Sequence, residues 1–264
     1  MPIEFIGSLV NGASDLAADP GYPARMARLH EESGFDRLLV GHSSSSPDGF
    51  SVASQVLGAT SRLAVLLAHR PGFVAPTIAA RQYATLEAFH PGRVAMHIIT
   101  GGDDADQRRD GDTLDKAARY RRSDEFLHVV KLEWGSARPF GYKGEFYRVA
   151  GARSAVRPAG GSLPVYFAGA SEGAVRVGGK HADVYAFWGE PLAAIAERIA
   201  AVRAAALPYG RSPRFSVSLR PIAAPTENEA WDELERGDLL VAEPALALSR
   251  PRIDGQTRLR RWRP

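Results

Sequence analysis

The sequence predicts an α/β barrel of the TIM type, (β/α)8, with seven clear β-α units and the eighth missing or replaced by a short tail. Three observations predict it. Short, continuously apolar runs alternate with helical patterns, as they do when parallel strands are buried on both faces and joined by crossover helices. No G-x-G-x-x-G fingerprint follows the first run, which disfavours an open dinucleotide-binding sheet. The 264 residues suffice for one large domain, and 45% hydrophobic with 24% charged residues is ordinary for a globular chain.

Taken in order, the predicted strands are Ile3–Val10, Arg37–Gly41, Leu63–His69, Val94–Thr100, Pro164–Gly169, Asp183–Trp188 and Phe215–Ile222. Between the first two, "YPARMARLHEESG" reads as a helix ending at Gly34, a natural C-cap. After the third, "PTIAARQYATLEAFHPG" places Ala79, Tyr83, Leu86 and Phe89 on one face. "FGYKGEFYRV" reads as a small hairpin turning at Lys143–Gly144. After the sixth strand, Leu192, Ile195, Ile199, Val202 and Ala206 form an apolar stripe with steps of three and four. "TENEAWDELERG" opens with a capping box, Thr226 and Glu229, and stops at Gly237. The barrel domain is thus expected over residues 1–237, with an Arg/Pro-rich tail over 238–264. The only candidate for an eighth strand is Leu239–Ala242, which is short.

Several function classes are excluded or disfavoured. The chain has no Cys, so disulfides, thiolate metal sites and cysteine nucleophiles are ruled out. The N-terminus lacks a basic, apolar leader, and no apolar run approaches the ~20 residues of a membrane span. A cytoplasmic protein without membrane partners is expected. The formal charge of +3 is concentrated in a tail: Arg250 to Pro264 carries six Arg and one Asp, a local +5 that leaves −2 for the rest. A basic face with aromatic platforms is therefore absent, and no nucleic-acid partner is expected.

In a barrel, chemistry sits in the loops at the strand C-terminal ends. "TGGDDADQRRDGD", Thr100 to Asp112, follows strand four and holds five Asp among thirteen residues. A calcium loop would put oxygen ligands at alternate positions, but counting from Asp104 the fifth is Arg108 and the sixth Arg109. No metal site is expected there, nor a zinc site, because the seven His include no H-x-H or H-E-x-x-H pair. In "AHRPGFVAPT", His69 and Arg70 read either as a pocket wall or as a turn set by Pro71–Gly72. In "FAGASEG", Gly169, Ala170 and Ser171 are small residues at a helix start, which suits a bound anion as well as simple capping by Ser171. "GHSSSSPDGF" lacks a nucleophile elbow, so His42, Ser46 and their neighbours read as a polar substrate pocket or a flexible turn. His97 reads as a core histidine with its hydrogen bonds satisfied, and His30, His90 and His128 as helix-surface residues. Trp188 reads as packing at the barrel mouth or as one wall of a flat cofactor slot.

Together, "SPDGF", "AHRPGFVAPT.AARQ.ATL", "HIITGG", "DGD.LD...RY", "PVYFAGAS", "ADVYAFWGEP" and "GRSPRFSVSLRPI" resemble, in order and spacing, the bacterial luciferase-like flavin monooxygenases, in particular their alkanesulfonate monooxygenase branch. The resemblance runs from near residue 3 to about Trp231. It implies a TIM-type barrel using FMN as FMNH2, together with O2, and a separate NAD(P)H-dependent flavin reductase. A homo-oligomer is expected. The implied reaction is oxygenation of a small sulfonate or other organosulfur compound through a flavin peroxide. Carried over, Ala68, His69 and Thr100 flank the isoalloxazine, and Tyr120, Gly169, Ala170 and Ser171 hold the phosphate end. His69 and Arg220 are the implied catalytic residues; His42, Ser46, Trp188 and Arg220 line the substrate pocket. The Asp-rich loop is then a connector and partial lid.

Departures from the branch are specific. Ser46 stands where the alkanesulfonate enzymes carry a Cys near the substrate, and Ser218 and Arg220 stand where they present an Arg and a His. Arg220 still suits an anionic head group. Past "WDELERG" the motifs cease and the composition turns to Arg and Pro, as in an out-of-frame read or a divergent tail. An inactive barrel fragment with weak or no flavin binding is therefore the alternative to a working monooxygenase.

Overall fold

The computed structural model describes residues 3–9, 19–219, 221–222 and 224–236. Arg220 and the eighth-strand candidate Leu239–Ala242 lie outside the described residues. The chain forms two compact units, Met1–Ser218 and Leu219–Pro264. The first contains strands β1 (Ile6–Leu9), β2 (Arg37–Val40), β3 (Ala64–His69), β4 (Val94–Ile98), β5 (Phe140–Lys143), β6 (Arg148–Ala152), β7 (Val165–Ala168), β8 (Val184–Trp188) and β9 (Arg214–Ser218). Its helices are α1 (Tyr22–Glu32), α2 (Gly49–Ala59), α3 (Pro76–Phe89), α4 (Asp104–Arg109), α5 (Lys116–Gly135), α6 (Glu172–His181) and α7 (Leu192–Ala206). In the second unit, α8 (Glu227–Arg236) starts at the expected capping box, where the Glu229 N–H donates to Thr226 Oγ1 and the hydroxyl returns to Glu229 Oε2 at 2.7 Å.

Seven strands form one parallel sheet in the order β1-β2-β3-β4-β7-β8-β9, with helices alternating between them. This is the expected barrel architecture. Strand alternation divides the core in two. Ile6, Leu39, Leu66, Ala95, Tyr166 and Val184 face inward and pack together. Leu38, Val40, Val65, Leu67, Met96, Ile98, Val165 and Phe167 face outward, against helical residues such as Val56, Tyr83, Phe126 and Val177. All six residues of β3 are buried, which is why no polarity pattern marks its two faces in the sequence.

The sheet curls. Glu4, just before β1, accepts from Arg37 Nε of β2 at 3.3 Å and from Arg214 Nη1 of β9 at 2.9 Å. The two edge strands thus come within reach of one Arg–Glu pair. Among the described residues no strand pairs β1 with β9. The hairpin β5–β6 is antiparallel as expected, and Gly34 ends α1 at φ +84°.

Four expectations need correction. Phe89 and Leu192 fall on their predicted apolar stripes but are 71% and 85% exposed, because each sits in a terminal turn beyond the layer its helix covers. The last strand begins at Arg214 and ends at Ser218, short of Ile222. His30 is no free surface residue: its Nδ1 lies 2.7 Å from the Met26 carbonyl and its ring fills the space beside Gly7. His97 does lie in β4 with its ring edge-on to Tyr166, yet its buried Nδ1 has no hydrogen-bond partner among the described residues.

Candidate active site at the strand C-terminal ends

One corner is built from α5 and the start of α6. Asp115 caps α5 by accepting from the Ala118 N–H, and Tyr120 follows in the first turns. Its ring packs where a side chain on Gly173 would stand: a Cβ there would lie 2.9 Å from the ring. A Cβ on Gly169 would lie 3.1 Å from the Tyr120 hydroxyl and 2.6 Å from the Ala174 methyl, and Gly169 has φ +144°, a conformation few other residues adopt. Tyr185 of β8 fixes the same turn by donating to the Gly169 carbonyl at 2.8 Å. Ser171 is the N-cap of α6 and accepts from the Ala174 N–H at 3.3 Å. The N–H groups of Glu172 and Gly173 then have no intrahelical partner. Three sequence-predicted residues, Tyr120, Gly169 and Ser171, therefore meet at one helix start, with Ala170 exposed beside them.

The Asp-rich segment holds its acids against arginines and helix starts. Asp103 caps α4, a short helix inside what reads as a loop. Asp104 accepts from Arg119 at 2.7 Å. Asp106 accepts from Arg70 Nη2 at 2.5 Å, and from the Ser44 N–H and hydroxyl at 3.0 and 2.5 Å. Asp110 lies 3.5 Å from Arg70 Nη1. Asp112 is buried and takes the Arg122 guanidinium, which itself occupies the space above Gly72. Burial alone would raise the Asp106 carboxyl, but Ser44 and Arg70 together hold it down to about 2. These contacts tie the segment to the loops after β2 and β3. Among the described residues, no group of three or more His, Asp or Glu side chains is arranged to hold a metal ion.

The remaining predicted residues divide between the two faces of the sheet. Ala68 shares the inward parity of Leu66, next to His97 on β4, and Thr100 follows two residues beyond β4. His69 has the parity of Leu67. Its ring is 5% exposed, stacks on Phe126 at 4.9 Å and meets Tyr83 and Phe50 edge-on. The packing thus turns the expected flavin-side and catalytic imidazole into the outer layer. Burial pushes its pKa down to about 3. His42 is half-buried beyond β2; burial first, then the nearby Arg70 cation, lowers its pKa. Ser46 is engaged inside its own turn, accepting from the Ser43 N–H at 2.9 Å. Trp188 closes β8 and is largely exposed. Arg70 reads in the sequence as a pocket wall or a turn residue, whereas nothing in the sequence marks its contacts with Asp106 or those of Asp106 with Ser44.

The luciferase-like monooxygenase family matches the chain over residues 4–260, past Gly237 where the recognisable motifs cease. The chain belongs to that family. Among solved structures it is similar to a riboflavin lyase crystallised with modified FMN and riboflavin, with TM-score 0.79 and 19% identity over 89% of this chain and 66% of that one. A long-chain alkane monooxygenase aligns with TM-score 0.76 at 19% identity, and the EDTA monooxygenase of Chelativorans sp. BNC1 with 0.77 at 20%. Each alignment covers 89% of this chain and 68% of the other. The chain thus spans about two thirds of the length of these proteins.

Proposed function

We propose that this chain binds FMN in its reduced form at the C-terminal ends of the strands and supports O2-dependent oxygenation of a small organic substrate, a sulfonate or other organosulfur compound. The observation that carries the reading is the Tyr120–Gly169–Ser171 corner, in a chain of this family. A helix start with two uncommitted N–H groups, two positions with no room for a side chain and a tyrosine hydroxyl alongside fits the dianionic end of FMN. Tyr120 and Ser171 would hold the phosphate. Ala68, too small to obstruct, would border the ring system on the inward side of β3, with Thr100 in the turn just beyond β4. Bound reduced FMN would supply the electrons that activate O2. The protein's part is to orient the ring, exclude water and place the substrate, with His42 and Trp188 lining the pocket and Arg220 meeting a charged head group. A separate NAD(P)H-dependent reductase would deliver the reduced flavin, and assembly as a homo-oligomer accompanies the reading.

Fluorescence titration tests this directly. Ser171→Asp places a carboxylate at the helix start and should weaken FMN binding about tenfold or more. Unchanged affinity would refute the placement. The alternative, a barrel that binds flavin weakly or not at all, draws on the absence of β1–β9 pairing among the described residues. No saturable FMN binding by the wild-type chain would favour it.

A further inference from the structure

The Asp106 carboxylate sits in a cradle built by other parts of the chain. The Ser44 N–H and hydroxyl come from the loop after β2, and the guanidinium of Arg70 from the loop after β3. Backbone N–H, hydroxyl and guanidinium converging on one carboxylate are the donors a bound oxyanion requires. The acid reaches them from α4, a six-residue helix held by the buried Gln107 and by Asp104 on Arg119, its other residues being exposed.

Arg70 is poorly served by this arrangement. It is 5% exposed, and its Nε and Nη1 have no hydrogen-bond partner among the described residues. Asp106 meets only Nη2, and Asp110 stands off at 3.5 Å. A buried guanidinium with unused donors is costly, whereas a carboxylate or sulfonate can take two N–H groups of the fork at once. An added anion cannot simply join, because it would meet two carboxylates on one cation. Both carboxylates belong to one segment, however, and would leave together.

We propose that the Ser44–Arg70 cradle is a binding site for the oxyanion of the substrate, filled in this form by Asp106 as an internal competitor. Binding is an exchange: the ligand's carboxylate or sulfonate takes the Ser44 and Arg70 donors, and the segment around α4 is released. This deepens the reading of an anionic organosulfur substrate and rests on it for the identity of the ligand, but its test needs neither flavin nor turnover.

Isothermal titration of sodium hexane-1-sulfonate into the full chain provides that test. Asp106→Asn keeps an oxygen for Ser44 and Arg70 but removes the competing charge, and should tighten binding about tenfold or more, the scale of one charge-assisted hydrogen bond. Adding Arg70→Gln should abolish the gain. A cooperatively melting Asp106→Asn variant with wild-type affinity overturns the proposal, as does a gain that survives Arg70→Gln. Hydrogen exchange on the wild-type chain keeps the question decidable if the variants do not fold. Hexane-1-sulfonate should speed amide exchange over residues 104–110 and slow it at Ser44, whereas unchanged exchange refutes the idea. Failure of FMN to bind would sink the flavin reading and leave these outcomes intact.

Discussion

Acid should weaken this protein before its carboxylates titrate, and His69 should account for a measurable part of that. Its ring is buried among Phe50, Tyr83 and Phe126, so the folded state holds it neutral down to about pH 3, against an ordinary value of 6.5. Below pH 6.5 the unfolded chain binds a proton that the folded chain refuses. Stability is therefore full above 6.5 and falls as pH falls, by about 1.4 kcal/mol per unit for this one group. At pH 5 the loss is about 2 kcal/mol. His181 adds to the same limb, since burial outweighs its Asp124 partner and holds its pKa at about 4. Together they remove about 4 kcal/mol at pH 5 from a total of ~5–15. Asp106 and Asp124, both held at about 2, lose their contribution only below the ordinary carboxylate value of 3.8. The window from pH 5 to 6.5 thus isolates the histidines.

Urea unfolding of the wild-type chain and of His69→Phe at pH 7.5 and 5.0 measures this. Phenylalanine keeps the aromatic packing and cannot take a proton. Its greater size changes stability at both pH values alike, by about 1 kcal/mol, so the difference between the two pH values is the informative quantity. That difference should shrink by about 2 kcal/mol in the variant. An equal pH difference in both proteins would mean that His69 takes a proton while folded, and the outer-layer placement of its ring would be refuted.

Three further outcomes are expected. Gly72→Ala should destabilise the chain by about 2 kcal/mol or more, because a methyl there overlaps the Arg122 guanidinium at 2.3 Å and φ is +114°, leaving the buried Asp112 without its partner; chemical denaturation at pH 7.5 would show it. Chelation should leave FMN affinity unchanged, since the acids of the segment are matched by arginines and helix starts; affinity lost with a chelator and restored by a divalent cation would contradict this. Arg220→Ala should raise KM for an anionic substrate much more than it changes FMN affinity, and equal effects on both would mark Arg220 as structural.

The sequence carried the fold well because the signals of a parallel sheet are local: apolar runs, helix stripes, a capping box at Thr226 and Glu229, a C-capping glycine at Gly34. At the corner, the small residues Gly169 and Ser171 leave a local mark at a helix start, whereas Tyr120 entered only through the family resemblance. What stayed hidden follows from the same physics. In β3 every residue is buried, so alternation writes no polarity into "AVLLAH", and nothing local says that Ala68 faces inward while His69 faces out. That one-residue parity separates a pocket wall from a core side chain. The partners of Asp104, Asp106 and Asp112 lie 10 to 36 residues away, at Arg119, Arg70 and Arg122, and only the folded backbone brings them together. Charges in the segment could be counted from sequence but not paired. Pairing decides what each can do: an acid already holding a buried arginine is a competitor for anions, whereas the same acid unpaired would repel them.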